Sequence, residues 1–118
     1  MKKEKVIIFH NKRCSKSREA LKLIKAQQNV DVEVVEYLKN IPTKEDLKKL
    51  LAKLNMKAEE IVRKNEPLYK ERYKGLQLNE EEWIKVLCEN PILIERPIVV
   101  RNNKAVIGRP PENVNQLF

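Results

Sequence analysis

A short apolar run followed by a cation-rich turn and an amphipathic segment limits what the start of this chain can form. Residues 6–9 are continuously apolar, which predicts a buried strand. From Arg18 to Ile24 apolar residues recur at helical spacing, which predicts a helix. Cys14 therefore lies at a strand-to-helix junction, near the first helical turn, where unpaired backbone N–H groups and the helix dipole favour a thiolate.

The residues around Cys14 are expected to strengthen this preference. Ser15 or Ser17 can cap the helix, and His10 can share or accept the thiol proton. Four cations also lie within four residues of the thiol, namely Lys12, Arg13, Lys16 and Arg18. A lone cysteine is usually a small buried residue, but a place among four cations disfavours a core role. We predict a catalytic pair of Cys14 and His10, with the thiolate stabilised by Ser15, Ser17 and Arg18.

The composition restricts the other classes of function. The 118 residues, 42% hydrophobic and 36% charged, predict a single globular domain over residues 1–118. A net charge of +8 attracts anions of many kinds. With only six aromatic residues and no stacking platform among them, nucleic-acid binding is disfavoured, and two glycines leave no Gly-rich nucleotide loop.

The start of the chain and its cysteines bear on location and redox state. The basic residues 1–5 are followed by an apolar run too short for a signal peptide or a membrane span, so we expect a cytoplasmic protein without a membrane partner. Two cysteines and one histidine make neither a disulfide framework nor a metal site, and both thiols should be reduced. Ser17 stands where a Cys-x-x-Cys pair would have its second cysteine. Cys88 is expected to be buried and inert.

The remaining apolar segments predict an α/β fold. Residues 30–37 read as a second strand, and a crossover through the first helix makes the two strands parallel. Residues 98–100 and 105–107 read as two strands joined at Asn102-Asn103, which suits a tight hairpin turn. The prediction is a four-stranded mixed sheet, formed by a βαβ unit and a C-terminal β-hairpin.

The stretch between these strands predicts a helical insertion over about residues 43–90. Thr43 with Asp46, and Asn79 with Glu82, have the spacing of capping boxes at the start of two helices. Between them, Arg63 is by default a surface residue.

Three motifs, in order along nearly the whole chain, resemble the glutaredoxin-coupled arsenate reductase family. They are His-Asn-Lys-Arg-Cys-Ser-Lys-Ser-Arg at 10–18, Arg-Lys-Asn-Glu at 63–66, and Asn-Pro-Ile-Leu-Ile-Glu-Arg-Pro-Ile-Val-Val at 90–100 with Gly-Arg-Pro at 108–110. The Cys-Ser-Lys-Ser-Arg form at 14–18 is most similar to a sister branch of that family. The resemblance implies a thioredoxin-like fold with a helical insertion, in agreement with the elements above.

The resemblance also implies a chemistry. Cys14 would be the nucleophile, and the oxyanion would be bound by Arg63, Arg96 and Arg109, whose fork-shaped donors match the oxygens of a compact anion. The Arg96-Pro97 bond would be cis. The implied substrate is arsenate or a similar oxyanion, with glutathione as co-substrate, glutaredoxin as partner and no bound cofactor or metal.

Two other functions stay open at this stage. The same family contains redox-responsive transcription regulators that bind RNA polymerase; these typically carry Cys-x-x-Cys, which Ser17 interrupts here. A general monothiol oxidoreductase would act on glutathionylated partners without needing the three arginines. Phosphatase-like chemistry is excluded, because it needs Cys-x5-Arg and only three residues separate Cys14 from Arg18.

Overall fold

The computed structural model describes residues 4–118, and Met1, Lys2 and Lys3 of the basic start lie outside the described residues. The chain divides into two compact units. The first, which we call the sheet unit, contains the chain up to Asn40 together with Arg96–Phe118; the second, the inserted unit, is Ile41–Glu95. The single domain over residues 1–118 stays a prediction. Within residues 4–118, no helix has the length and apolar character needed to cross a membrane.

The sheet unit contains the four predicted strands in the order β2-β1-β3-β4. β1 pairs in parallel with β2 and antiparallel with β3, and β3 pairs antiparallel with β4. The mixed sheet with a βαβ unit and a hairpin is therefore confirmed, as is the thioredoxin-like fold. The strands are β1 Glu4–Phe9, β2 Val30–Val35, β3 Ile98–Arg101 and β4 Lys104–Ile107.

The connections in the sheet unit use residues that tolerate left-handed backbone. Helix α1, Ser15–Lys25, joins β1 to β2. Asn29, just before β2, has φ 59°, and Asn102, in the hairpin turn between β3 and β4, has φ 57°. Asparagine adopts this conformation more readily than most residues. The peptide bonds Arg96-Pro97 and Arg109-Pro110 are both cis, which confirms the prediction for the first.

The core of the sheet unit lies where α1 and a terminal 3₁₀ helix, Pro111–Leu117, pack against one face of the sheet. Alternate residues of the strands point into it, as the period of a strand requires. Gly108 lies beside this core, and a Cβ there would come within 3.0 Å of Pro97 Cγ. The buried residues of this cluster are Val6, Ile8, Ala20, Ile24, Val99, Val114 and Leu117.

The inserted unit is helical, as predicted. Both capping boxes are confirmed: Thr43 with Asp46 starts α2, and Asn79 with Glu82 starts α4. Asn55 ends α2 in left-handed conformation, with φ 56°. Its elements are α2 Lys44–Leu54, a 3₁₀ helix Ala58–Ile61, α3 Pro67–Arg72, α4 Glu80–Glu89 and a 3₁₀ helix Pro91–Leu93.

Candidate active site

The strand register brings three segments of the sheet unit to one edge of the sheet. Phe9, the last residue of β1, pairs with Ile98, the first residue of β3. Ile98 in turn pairs with Ile107, the last residue of β4. Three segments therefore lie next to one another at this edge: the turn that carries Cys14, the residue pair before β3 and the segment after β4. This explains how Arg96 and Arg109, far apart in sequence, both reach Cys14.

Cys14 itself occupies the N-cap position of α1, with φ −91° and ψ 122°, and is 8% exposed. The expectation that Ser15 or Ser17 caps the helix is wrong, because the helix begins at Ser15 and no side chain caps it. The hydroxyl of Ser17 instead forms hydrogen bonds with the ring of His10 and with the backbone N–H of Asn11. The first backbone N–H groups of α1 are thus left to face the sulfur rather than a capping oxygen.

The sulfur of Cys14 lies in a cradle of hydrogen-bond donors. Burial alone raises the pKa of the thiol, but the backbone N–H groups of Ser17 and Lys16 and the guanidinium of Arg96 act against it, and the net effect lowers the pKa. Arg96 both donates a hydrogen bond to the sulfur and acts through its charge. Arg109 Nη2 lies 4.0 Å from Sγ. A thiolate is the nucleophilic form of cysteine, so this arrangement prepares Cys14 for attack.

The cations next to Cys14 in sequence are directed elsewhere. Lys12 pairs with Glu36 at 4.0 Å and Lys16 pairs with Glu19 at 3.9 Å. Arg18 donates from Nη1 to the backbone oxygen of Lys12 at 2.9 Å, which fixes the turn around the thiol. The charge beside the sulfur comes instead from the arginine before β3. A role for Arg18 in stabilising the thiolate stays a prediction.

His10 and Ser17 form a buried pair below the turn. A hydrogen bond of 2.8 Å joins His10 Nδ1 to Ser17 Oγ, which also accepts the backbone N–H of Asn11 at 3.1 Å. Burial lowers the pKa of His10, and the nearby Arg18 and Lys25 lower it further against the opposing charge of Glu36. The pair holds Ser17, whose own N–H faces the sulfur of Cys14. The structure thus links His10 to the thiol through Ser17.

Asn11 is a residue that the sequence analysis missed. Its side-chain oxygen accepts the N–H of Arg13 at 3.0 Å, and its backbone oxygen accepts the N–H of Cys14 at 2.9 Å. An asparagine that bonds the backbone two residues on is the mark of an Asx-turn. An asparagine two residues after the end of the strand and three residues before the cysteine is the signal that could have identified it.

Arg63 lies in the inserted unit, where two carboxylates hold it. Its Nη1 donates to Glu95 Oε1 at 3.1 Å, and its Nε lies 3.4 Å from Glu66 Oε1. Its backbone N–H donates to the oxygen of Leu93 at 2.7 Å, beside an isolated bridge between Val62 and Ile94. The expectation of an ordinary surface arginine is wrong, since only 16% of its side chain is exposed. Its role in oxyanion binding stays a prediction.

Cys88 differs from the expectation in one respect. It is only partly buried, whereas Trp83, Ile84 and Leu87 on the same helix are buried. Burial raises the pKa of its thiol, and Asp46 and Glu89 raise it further against the opposing effect of Lys44. A raised pKa keeps Cys88 in the thiol form, which agrees with an unreactive residue.

Comparison with known proteins places this arrangement in a family. A sequence profile described as the ArsC family matches residues 9–117. The chain is 48% identical over 116 residues to the uncharacterized protein YfgD of Escherichia coli strain K12, covering 97% of each chain. It is 41% identical over 115 residues to an arsenate reductase of Neisseria meningitidis serogroup A, covering 94% of this chain and 96% of the relative.

Solved structures agree with the sequence comparison. An arsenate reductase from Vibrio cholerae superposes with a TM-score of 0.92 at 42% sequence identity, over 98% of this chain and 99% of that one. This structural match extends over nearly all of both chains, and the profile match at residues 9–117 includes the turn with Cys14 and the segments with Arg96 and Arg109. From the profile, the relatives and the structure together, this chain belongs to the ArsC family.

Proposed function

We propose that this protein is an arsenate reductase that uses Cys14 as its single nucleophile, with glutathione and glutaredoxin supplying the electrons. The observation that carries the proposal is the cradle around the sulfur of Cys14, where two backbone N–H groups and Arg96 lower the pKa of the thiol and Arg109 lies 4.0 Å away. The relatives named arsenate reductase support the choice of substrate.

The two arginines suit an oxyanion that approaches the thiolate. Arsenate is a compact anion with several oxygens, and guanidinium groups bind such oxygens with paired, directed N–H donors. Fixed donors also stabilise the charge that develops on those oxygens while the sulfur attacks, without reorganising during the reaction. Arg96 and Arg109 thus serve both to bind the anion and to stabilise the transition state. Arg63 is proposed as a third ligand by resemblance alone.

The reaction needs one protein thiol. The Cys14 thiolate attacks arsenic and forms a sulfur–arsenic bond as one arsenate oxygen leaves as water. A glutathione thiolate then displaces a second oxygen from arsenic, which leaves as water, and forms a second sulfur–arsenic bond. The glutaredoxin thiolate attacks the glutathione sulfur. A mixed disulfide forms, the bond from that sulfur to arsenic breaks, and its electron pair stays on arsenic, which is thereby reduced by two electrons. Water then displaces the Cys14 sulfur from the reduced arsenic, so that arsenite is released and Cys14 returns to the thiolate. A second glutathione restores glutaredoxin, so that overall two glutathione thiols become one disulfide.

His10 is proposed to position the site and does not touch the substrate in this scheme. Through Ser17 it fixes the first turn of α1, whose N–H groups hold the thiolate. Ser15 and Arg18 belong to the same turn, and Arg18 anchors it through the oxygen of Lys12. Since the scheme depends on glutathione and on reduced thiols, we propose that the protein acts in the cytoplasm.

The test is a coupled assay. Oxidation of NADPH is followed through glutathione reductase, glutathione and glutaredoxin after arsenate is added. The wild type and Cys88→Ser should both show arsenate-dependent turnover, and Cys14→Ser should show none. Turnover that survives in Cys14→Ser, or that requires Cys88, would refute the single-cysteine mechanism.

The same assay separates the alternatives. A general monothiol oxidoreductase would reduce a glutathionylated substrate equally well after Arg109→Met, which leaves Arg96 and the N–H groups beside the sulfur in place, whereas arsenate turnover should be lost. A transcription regulator would show no turnover with any oxyanion and would be retained by immobilised RNA polymerase.

A further inference from the structure

The net charge of the protein is carried by one of its two units. Of the 25 Lys and Arg residues, 11 lie in Ile41–Glu95, together with 11 of the 17 Asp and Glu residues. The inserted unit is therefore formally neutral, and the sheet unit has 14 cationic and 6 anionic residues, which gives it the whole +8. A charge confined to the unit with the reactive thiol calls for an anionic partner of that unit.

The exposed side of α1 concentrates this charge. Arg18, Lys22 and Lys25 are all exposed and recur at a spacing of four and three residues, which aligns them along one side of the helix. Glu19 is the one acidic residue in α1, and it is paired with Lys16. Three of the six acidic residues of the sheet unit lie on or just after β2, namely Asp31, Glu33 and Glu36. We call the row Arg18, Lys22 and Lys25 the α1 ridge.

The ridge begins one turn after Cys14 and extends away from it. Seven residues of helix span about 10 Å, so the charge reaches well beyond the space that a compact oxyanion occupies. A row of this length, leading to a thiol, fits the surface of a macromolecule that must bring a group to that thiol. Oriented charge of this kind raises association rates by about 10-fold to 1,000-fold and loses its effect as salt screens it.

We propose that the α1 ridge is the docking surface for an acidic face of the protein thiol donor that takes up the glutathione sulfur at the Cys14 site. This inference builds on the proposed function and adds to it where the donor binds. Nucleic acid is the less favoured occupant, because the ridge has no aromatic side chains interleaved with its cations on which bases could stack. A protein donor, by contrast, would contact the ridge while its own thiol reaches the Cys14 site.

The attack of the donor on a glutathione sulfur at this site can be studied without arsenic, in a mixed disulfide that replaces the arsenic adduct. In a mixed disulfide between Cys14 and glutathione, the donor thiolate attacks the glutathione sulfur. A new disulfide forms between donor and glutathione, the old one breaks, and Cys14 leaves as a thiolate. The donor thiol is oxidised and the Cys14 sulfur is reduced. The low pKa of Cys14 makes it a good leaving group.

The experiment compares charge reversal on the ridge with the same change on the neutral unit. Lys22→Glu/Lys25→Glu is tested against Lys70→Glu/Lys74→Glu, whose lysines are also exposed and lie in or just after α3. Both pairs are made in a Cys88→Ser background, glutathionylated at Cys14, and reduced either by glutaredoxin with glutathione or by dithiothreitol, a small uncharged thiol. Lys22→Gln/Lys25→Gln serves as a milder variant if charge reversal weakens the end of α1.

We expect the ridge variant to slow reduction by glutaredoxin about tenfold at low ionic strength. The loss should shrink as salt is added, the dithiothreitol rate should be unchanged, and the control pair should match the wild type. An unchanged glutaredoxin rate in both ridge variants would overturn the proposal. So would an equal loss with dithiothreitol, which would assign the effect to the thiol itself.

Two further outcomes separate this proposal from its alternatives. If ridge reversal abolishes binding to a short DNA duplex while the glutaredoxin rate is unchanged, the surface serves nucleic acid and the proposal is overturned. If glutaredoxin fails on the wild type while dithiothreitol succeeds, both the docking proposal and the donor in the proposed function are wrong. A charge-dependent glutaredoxin rate without arsenate turnover would support the docking surface and refute arsenate as the substrate.

Discussion

Each of the two units contains one cysteine, which lies at the start of a helix in one unit and near the end of a helix in the other. Cys14 is the N-cap of α1 in the cationic sheet unit, and Cys88 is the penultimate residue of α4 in the neutral inserted unit. Burial raises the pKa of both thiols. At Cys14 the N–H groups of Ser17 and Lys16 and the charge of Arg96 outweigh it, and at Cys88 nearby carboxylates add to it. The reactivity of each thiol is therefore set by the end of the helix at which it lies and by the charges beside it.

The largest expected effect comes from removing the charge beside Cys14. Arg96→Met keeps the aliphatic stem but loses the guanidinium that bonds the sulfur. Loss of one such donor at an anionic transition state lowers turnover by about 100-fold to 1,000-fold. Arsenate turnover should fall by this factor and the pKa of Cys14 should rise. Arg72→Met, an exposed arginine of the neutral unit, is the control, and an equal loss in it would contradict the assignment.

The arginine of the inserted unit should affect stability instead. Arg63 is held between Glu66 and Glu95, and its removal leaves two partly buried carboxylates side by side. Removing one partner of a buried ion pair costs about 3 kcal/mol of unfolding free energy. Urea unfolding of Arg63→Met against Arg72→Met measures this, and a difference near zero would show that the ion pairs contribute little. Arsenate KM in the same variant tests whether Arg63 also binds the oxyanion.

The two glycines should differ in which substitution, alanine or asparagine, is the more destabilising. Gly108 is limited by space, because a Cβ would lie 3.0 Å from Pro97 Cγ and 3.3 Å from Ala20 Cβ. Gly75 is limited by conformation, since its φ is +84° and a Cβ there would have no neighbouring atom within 4 Å. Alanine should destabilise at both sites by about 1 kcal/mol. Asparagine should be milder than alanine at Gly75 and more harmful at Gly108; thermal unfolding of the four variants checks this, and the same order at both sites would contradict it.

The smallest expected effect is a pH dependence from His10. Its folded-state pKa is lowered, chiefly by burial, so the unfolded chain binds the proton more readily. The contribution of neutral His10 is therefore fully present above its unfolded pKa, about 6.5, and is lost as the pH falls below it. Unfolding free energies measured from pH 8 to 5 should decline more steeply in the wild type than in His10→Asn. Parallel profiles would show that burial of His10 does not govern the decline.

Much of the fold could be predicted because its signals are local. The capping boxes at Thr43 and Asn79, the turn at Asn102 and the apolar strands each depend on residues a few positions apart. The surroundings of Cys14 depend on register, which pairs Phe9 with Ile98 and Ile98 with Ile107. No local pattern contains that information.

The site illustrates what local reading gets wrong. The sequence suggested that Lys12, Arg13, Lys16 and Arg18 lower the pKa of Cys14, yet Lys12, Lys16 and Arg18 are engaged with Glu36, Glu19 and a backbone oxygen. Arg96, which provides the charge, was identified only through resemblance. Likewise the Arg63–Glu66 spacing was visible in the sequence, but the second carboxylate, Glu95, meets Arg63 only in the folded inserted unit.

The most direct test of the account is the pH dependence of alkylation at the two thiols, measured in one protein by mass spectrometry of its peptides. Cys14 should react with iodoacetamide with a midpoint below that of an ordinary cysteine, and Cys88 with a midpoint above it. In Arg96→Met the midpoint of Cys14 should move up while that of Cys88 stays in place. Equal midpoints for the two thiols in the wild type, or a Cys14 midpoint unmoved by Arg96→Met, would contradict the claim that the cradle makes Cys14 the nucleophile.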